Sequence, residues 1–349
     1  MVYSASNAIS RDYRDDSYYY LKRQVLWCII GLLVMAVTAS FDYQKYEKLA
    51  WPLLILSSIL LLFVYIPGIG VEINKGTRWI KIWKLTFQPV ELAKLVLVIC
   101  VAQLLNRSRD EIREFKSGIL PSLILLAAFV TMIIKQPDFG SLVIMASVTF
   151  IMLFVGGVKV HQMTLVTLVA LVLAAIAIWM EPYRLRRLLI FIDPWKDPKG
   201  AGYHIIQSFY ALGCGGVLGT GLGAGMQKLH YLPTPHTDFI FAAIGEELGL
   251  VGTVFIVLLF MVIVWRGIHI ALSTQSRFGS LLAFGISSLI GIQAIINIGV
   301  VTGSLPTKGL TLPFLSFGGS SIIASLISVG ILLNISRTRD KKSGVEKQW

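Results

Sequence analysis

The chain has 349 residues, 55% of them hydrophobic and only 14% charged, with a formal net charge of +12. The apolar residues fall in runs of about 17 to 25, the length that spans ~30 Å of hydrocarbon, which excludes an ordinary soluble domain and predicts an all-α, polytopic integral membrane helical bundle. Basic residues flanking such helices meet anionic headgroups, so the positive charge predicts membrane contact and no nucleic-acid partner.

Residues 1–23 are polar and aromatic and lack the apolar core of a signal peptide. Nine membrane helices are predicted: 24–41, 49–66, 89–105, 118–134, 139–155, 164–180, 239–265, 278–301 and 322–335. Between the second and third lies a polar, aromatic loop, GIGVEINKGTRWIKIWKLTFQ, in which Trp79 and Trp83 suit an interfacial belt. Glu91 and Lys94 follow inside the third helix. Three residues apart, they share a face and predict an ion pair turned away from lipid. Asp138, in KQPDFG, is expected to cap the fifth helix.

The longest interruption runs from about residue 181 to 238. Arg184, Arg186 and Arg187 alternate with Leu and Phe as in a short interfacial helix. Glycines follow at 213, 215, 216, 219, 221, 223 and 225. They fit no dinucleotide or P-loop register, though their amides suit an anion nest. Asp238 stands where the seventh helix begins. Its two readings are an N-cap and a catalytic base, the first favoured by position alone. Glu246 and Glu247 lie deeper in the predicted helix and need buried partners such as Lys94 or Arg78. Cys28, Cys100 and Cys214 form no disulfide or zinc pattern, and His161 has no second ligand nearby. The tail-side connectors carry 14 Lys and Arg against 10 on the other side once the six of the long loop are discounted. That bias predicts a cytoplasmic tail (336–349).

Several motifs in fixed order then carry a resemblance: NKGTRWI, QPVELAK, KQPDFG, DPWKDPKGAGYHIIQS, MQKLHYLPTPHTDFIFAAIGEELG and LPTKGLTLPFLSFGGSS. Together they resemble the SEDS family (shape, elongation, division and sporulation) over residues 24–337. The resemblance implies a single ten-helix membrane domain, here 1–349, that polymerises lipid II into peptidoglycan glycan strands. It implies a multi-pass protein of the bacterial cytoplasmic membrane whose active site faces outward. A class B penicillin-binding protein is the implied transpeptidase partner, together with other division or elongation proteins.

The family's essential Asp corresponds to Asp238. Arg78, Trp79, Glu91, Lys94, Lys228, His236 and Ser320 are the implied substrate-binding residues. No metal ligands are assigned. A divalent cation, Mg or Mn, is the one cofactor that pyrophosphate chemistry admits beside the basic side chains. Family members carry a first helix ending in a sequence like MVYSAS, with which this chain begins, so nine of the ten helices are expected. Ser304 stands where an apolar residue is usual, and KGLTLPF and MQKLHYLP lean towards the division or sporulation branch. The rival readings are a lipid II flippase, since charged and broken helices are also transporter features, and a division scaffold.

Overall fold

The computed structural model describes all residues except 5, 7–17, 74–75, 83–84, 110, 137, 181, 201, 227–235, 308 and 347–349. The helices are α1 (Tyr19–Ser40), α2 (Gln44–Phe63), α3 (Pro89–Arg107), α4 (Leu120–Ile133, entered through a π turn, Phe115–Ile119), α5 (Phe139–Gly156), α6 (Val160–Trp179), α7 (Pro182–Ile192), α8 (Tyr203–Gly215), α9 (Ile240–Ser273), α10 (Arg277–Val301) and α11 (Gly319–Glu346). Eight of the described helices are long and apolar enough to cross a membrane, and α6 adds a shorter apolar stretch, Val160–Val172. The helical membrane architecture is therefore the predicted one.

Two findings differ from the sequence reading. The 67–88 loop contains a three-stranded antiparallel sheet, β1 (Gly70–Ile73), β2 (Gly76–Ile82) and β3 (Leu85–Phe87), in the order β1-β2-β3. The register places Trp79 opposite Val71 and Ile80 opposite Phe87, aromatic and branched pairs that favour strand pairing. The seventh span is not continuous, because α9 breaks at Gly249, whose φ of 65° and ψ of −162° are open to glycine and strained for other residues. Helix α9 starts at Ile240, one residue from the expected start, and Asp238 lies in the turn that precedes it.

The chain forms two compact units. One comprises residues 1–26, 164–261 and 293–318, and the other 27–163, 262–292 and 319–349. In the second unit α3 is the central helix, buried from Pro89 to Leu105 along most of its length and packed on α2, α4, α5 and α11. Helix α1 closes tightly on α11 there. A Cβ at Gly319 would lie 2.3 Å from the Trp27 ring, and one at Gly330 2.0 Å from Thr38 Oγ1. Small residues are what permit backbones to approach so closely in a membrane. Asn334 fixes the α1–α2 turn, accepting from Tyr43 N at 2.9 Å and donating to Ala39 O at 2.8 Å. The predicted cap on α5 is present: Asp138 accepts from Ser141 N at 3.2 Å and from Ser141 Oγ at 2.8 Å.

Candidate active site

The first unit contains Asp238, and its surroundings are built from three chain segments. Polar side chains in the apolar helix α10 supply the anchor. Gln293 and Asn297, four residues apart and both buried, share one face. Asn297 Nδ2 donates to the Asp238 carbonyl at 3.0 Å and to the Leu310 carbonyl at 2.6 Å. Gln293 Nε2 donates to Thr311 O at 3.1 Å. The segment 309–317 is thereby drawn against the turn before α9.

Further bonds close the same seam. Ser316 Oγ donates to Thr237 O at 2.6 Å and accepts from Leu312 N at 2.8 Å. Phe317 N donates to His236 O at 2.8 Å. The seam leaves little room near the carboxylate: a Cβ on Gly309 would lie 2.8 Å from Asp238 Oδ2. Asp238 itself remains half-buried while Phe239 and Ile240 after it are buried. The backbone of Asp238 is thus held from two sides, and its carboxylate sits at the N-terminal end of a helix, where the macrodipole favours an anion.

His236, expected among the substrate-binding residues, is buried in an aromatic cluster. Its ring lies 4.6 Å from that of Tyr20 and 5.8 Å from that of Phe317. Burial pushes its pKa down to about 4, so the imidazole is neutral near pH 7. Its Nδ1 has no hydrogen-bond partner among the described residues. Lys228 falls outside the described residues.

In the glycine-rich segment after α8, one backbone amide meets a carboxylate, the protein's own, and two others meet backbone carbonyls of α9. Met226 N donates to Glu246 Oε1 at 2.6 Å. Thr220 N and Gly221 N donate to the Glu246 and Glu247 carbonyls at 2.9 and 3.0 Å, and Ser4 Oγ donates to Glu247 Oε1. Met226 N and Ser4 Oγ are thus donors to the two buried carboxylates from within the same unit, where the sequence pointed to Lys94 or Arg78. The approach is glycine-dependent. A Cβ on Gly219, whose φ is 82°, would lie 2.2 Å from Glu247 O, and one on Gly249 2.4 Å from Gly219 N. On α7, Arg186 pairs with Asp197 at 2.6 Å and Arg187 donates to Thr307 O at 3.3 Å.

The second unit contains the other candidates. Lys94 Nζ and Glu91 Oε1 are 2.8 Å apart, both side chains buried, which is the pair the i,i+3 spacing predicted. Arg78 Nε donates to Gln136 O at 2.9 Å from strand β2, and its neighbour Trp79 is half-buried. Ser320 is buried in the first turn of α11, where its Oγ accepts from Gln88 N at 2.8 Å, just ahead of α3. Among the described residues no group of three or more His, Cys, Asp or Glu gathers to hold a metal ion.

Asn297, Gln293 and Ser316 were not among the sequence candidates. The available signal was two amides at i,i+4 inside an apolar run, which in a membrane helix points to the bundle interior.

A family model described as "Cell cycle protein" and named for FtsW, RodA and SpoVE matches residues 1–341. A probable peptidoglycan glycosyltransferase FtsW of Geobacter sp. (strain M18) is 46% identical over 336 residues, covering 96% of this chain and 92% of the relative. The stage V sporulation protein E of Bacillus subtilis (strain 168) is 43% identical over 338 residues, covering 97% and 92%. Among solved structures, a chain from a peptidoglycan synthase complex that coordinates polymerization and crosslinking matches with a TM-score of 0.79 at 32% identity, covering 97% of this chain and 95% of that one. The rod shape determining protein RodA of Thermus thermophilus matches with a TM-score of 0.69 at 29% identity, covering 97% and 94%. The match over nearly the whole chain, in sequence and in fold, agrees with the order of the motifs, and this protein belongs to the FtsW/RodA/SpoVE (SEDS) family.

Proposed function

We propose that this chain is a peptidoglycan glycosyltransferase that polymerises lipid II at the outer face of the bacterial cytoplasmic membrane, with Asp238 as its general base and a class B penicillin-binding protein as partner. The observation that carries the reading is the seam around Asp238. A half-buried carboxylate at a helix N-terminus has its backbone fixed by a buried Asn and a loop drawn tightly against it. Preorganisation of this kind is what a reacting group needs and what a simple cap does not.

The chemistry is a displacement at an anomeric carbon. The acceptor's 4-hydroxyl oxygen forms a bond to the donor's C1, the bond from C1 to the pyrophosphate oxygen breaks, and the configuration inverts. The hydroxyl proton passes to Asp238 as the new bond forms, because a free hydroxyl is too weak an acid to lose it earlier. The leaving group is undecaprenyl pyrophosphate, which needs no protonation to depart.

Reconstitution with a partner transpeptidase and labelled lipid II tests the proposal. Wild type yields glycan chains and Asp238→Asn yields none. Chains from the Asn variant would remove Asp238 from the role. Movement of lipid II across vesicles without chain formation would favour the flippase.

A further inference from the structure

The glycine-rich segment between α8 and α9 has two faces. Its backbone turns inward and holds Glu246 and Glu247 through the amides of Thr220, Gly221 and Met226. Its large side chains turn outward: Val217, Leu218, Leu222 and Met226 are 63%, 81%, 72% and 68% exposed. Residues 213–226, GCGGVLGTGLGAGM, include no charged side chain. Four such side chains left in water would each forgo about 1.5–3 kcal/mol of burial.

The depth of this face follows from what the segment is bonded to. Leu250 N donates to Gly216 O at 3.0 Å and Val251 N to Val217 O at 3.2 Å, just past the break at Gly249. Leu250 and Val251 are themselves exposed, as are Val254, Phe255, Leu258 and Leu259 further along α9. After Leu250 the next charged residue is Arg266. At 1.5 Å per residue that run covers about 24 Å, less than the ~30 Å hydrocarbon thickness. With the Arg266 guanidinium at one boundary, Leu250 is still inside the apolar layer near the other, and Val217 and Leu218 share its level.

Irregular backbone at that depth must have its polar groups satisfied by protein. Here the Gly216 and Val217 carbonyls accept from α9, and the Thr220 and Gly221 amides donate to it. We infer that segment 217–226 is seated in the lipid at one membrane boundary, its side chains among acyl chains and its backbone strapping the break in α9. The lipid surface is favoured over a protein partner because this face continues the exposed apolar face of a membrane span and lacks the Arg and aromatic anchors of a protein interface.

Spin labels test this in proteoliposomes. They are placed at Leu218→Cys and Leu222→Cys in a chain whose Cys28, Cys100 and Cys214 are replaced by alanine, with Lys196→Cys as the aqueous reference. The expected result is relaxation by oxygen well above that by a water-soluble nickel chelate at both positions, the reverse of Lys196. Nickel access equal to the reference would overturn the inference. So would nickel access lost only when the partner transpeptidase is added, which would mark a protein interface instead. In the unmodified chain, a carbene-generating lipid probe is expected to label the peptide containing Leu222 and Met226. An unlabelled peptide beside labelled α9 peptides would sink the inference without any substitution.

Discussion

Asn297 Nδ2 lies 3.0 Å from the carbonyl oxygen of Asp238 and 2.6 Å from that of Leu310, so one buried amide ties the proposed base to the loop that confines it. Asn297→Leu keeps the branched heavy-atom outline and removes both donors. The loss of hydrogen bonding costs about 1–3 kcal/mol of stability. A displaced base costs more in rate, on the order of 10–100-fold in kcat with KM little changed. Single-turnover polymerisation together with thermal melts distinguishes the two effects. A kcat that falls only in proportion to the folded fraction would reduce Asn297 to a structural residue.

Gly309 probes the same carboxylate from the other side. A methyl group at its Cβ position meets Asp238 Oδ2 at 2.8 Å, closer than real Cβ contacts allow. The carboxylate is the movable partner, so Gly309→Ala is expected to fold normally and to lose roughly ten-fold or more in polymerisation. Unchanged activity would show that the carboxylate's position is not critical.

The buried Glu91–Lys94 pair makes a prediction of a different kind. Lys94→Met leaves a buried carboxylate without this partner and is expected to cost about 3–5 kcal/mol, seen as lower membrane accumulation and a lower Tm. Pairing it with Glu91→Leu removes both charges and recovers most of that stability. If the pair binds substrate, the double variant stays inactive although it is folded. Recovery of activity with stability would make the pair purely structural.

These expectations separate what local sequence encodes from what it does not. The Glu91–Lys94 pair was legible because i,i+3 spacing on a helix fixes adjacency without knowledge of the rest of the chain. The membrane spans were legible from length alone. The strand pairing of TRWIKI was not legible, because its polar and apolar residues do not alternate with period 2 and it lies among loop-forming Gly and Asn. Nor was the break at Gly249 legible. A lone glycine in an apolar helical run is usually tolerated, and what stabilises this break is the backbone of residues 216–221, some thirty positions earlier. Asn297 escaped for the same reason, since its acceptors lie on two other segments.

Gly249→Ala therefore tests a contact that only the fold reveals. A Cβ there would lie 2.4 Å from Gly219 N and 2.5 Å from Val217 O, at a φ of 65°. The backbone strain alone is worth about 1–3 kcal/mol, and the clash falls on backbone that cannot move aside. The expected outcome is a lower Tm with faster amide exchange at Thr220 and Gly221, whose donors hold Glu246 and Glu247. Normal protection at those two amides would mean the strap is independent of the break.

His236 supplies a pH dependence whose sign can be worked out. Its folded pKa is pushed down to about 4 by burial, below the unfolded value near 6.5. Above pH 6.5 both states are neutral and the residue is indifferent. As pH falls from 6.5 towards 4, the unfolded chain binds a proton that the folded chain refuses, so stability declines, by about 3 kcal/mol once pH is below both values. His236→Phe keeps a ring against Tyr20 and Phe317 and removes the titration. Its Tm is therefore expected to fall less than that of wild type between pH 7 and pH 4.5. Parallel declines in the two proteins would assign acid sensitivity to other groups.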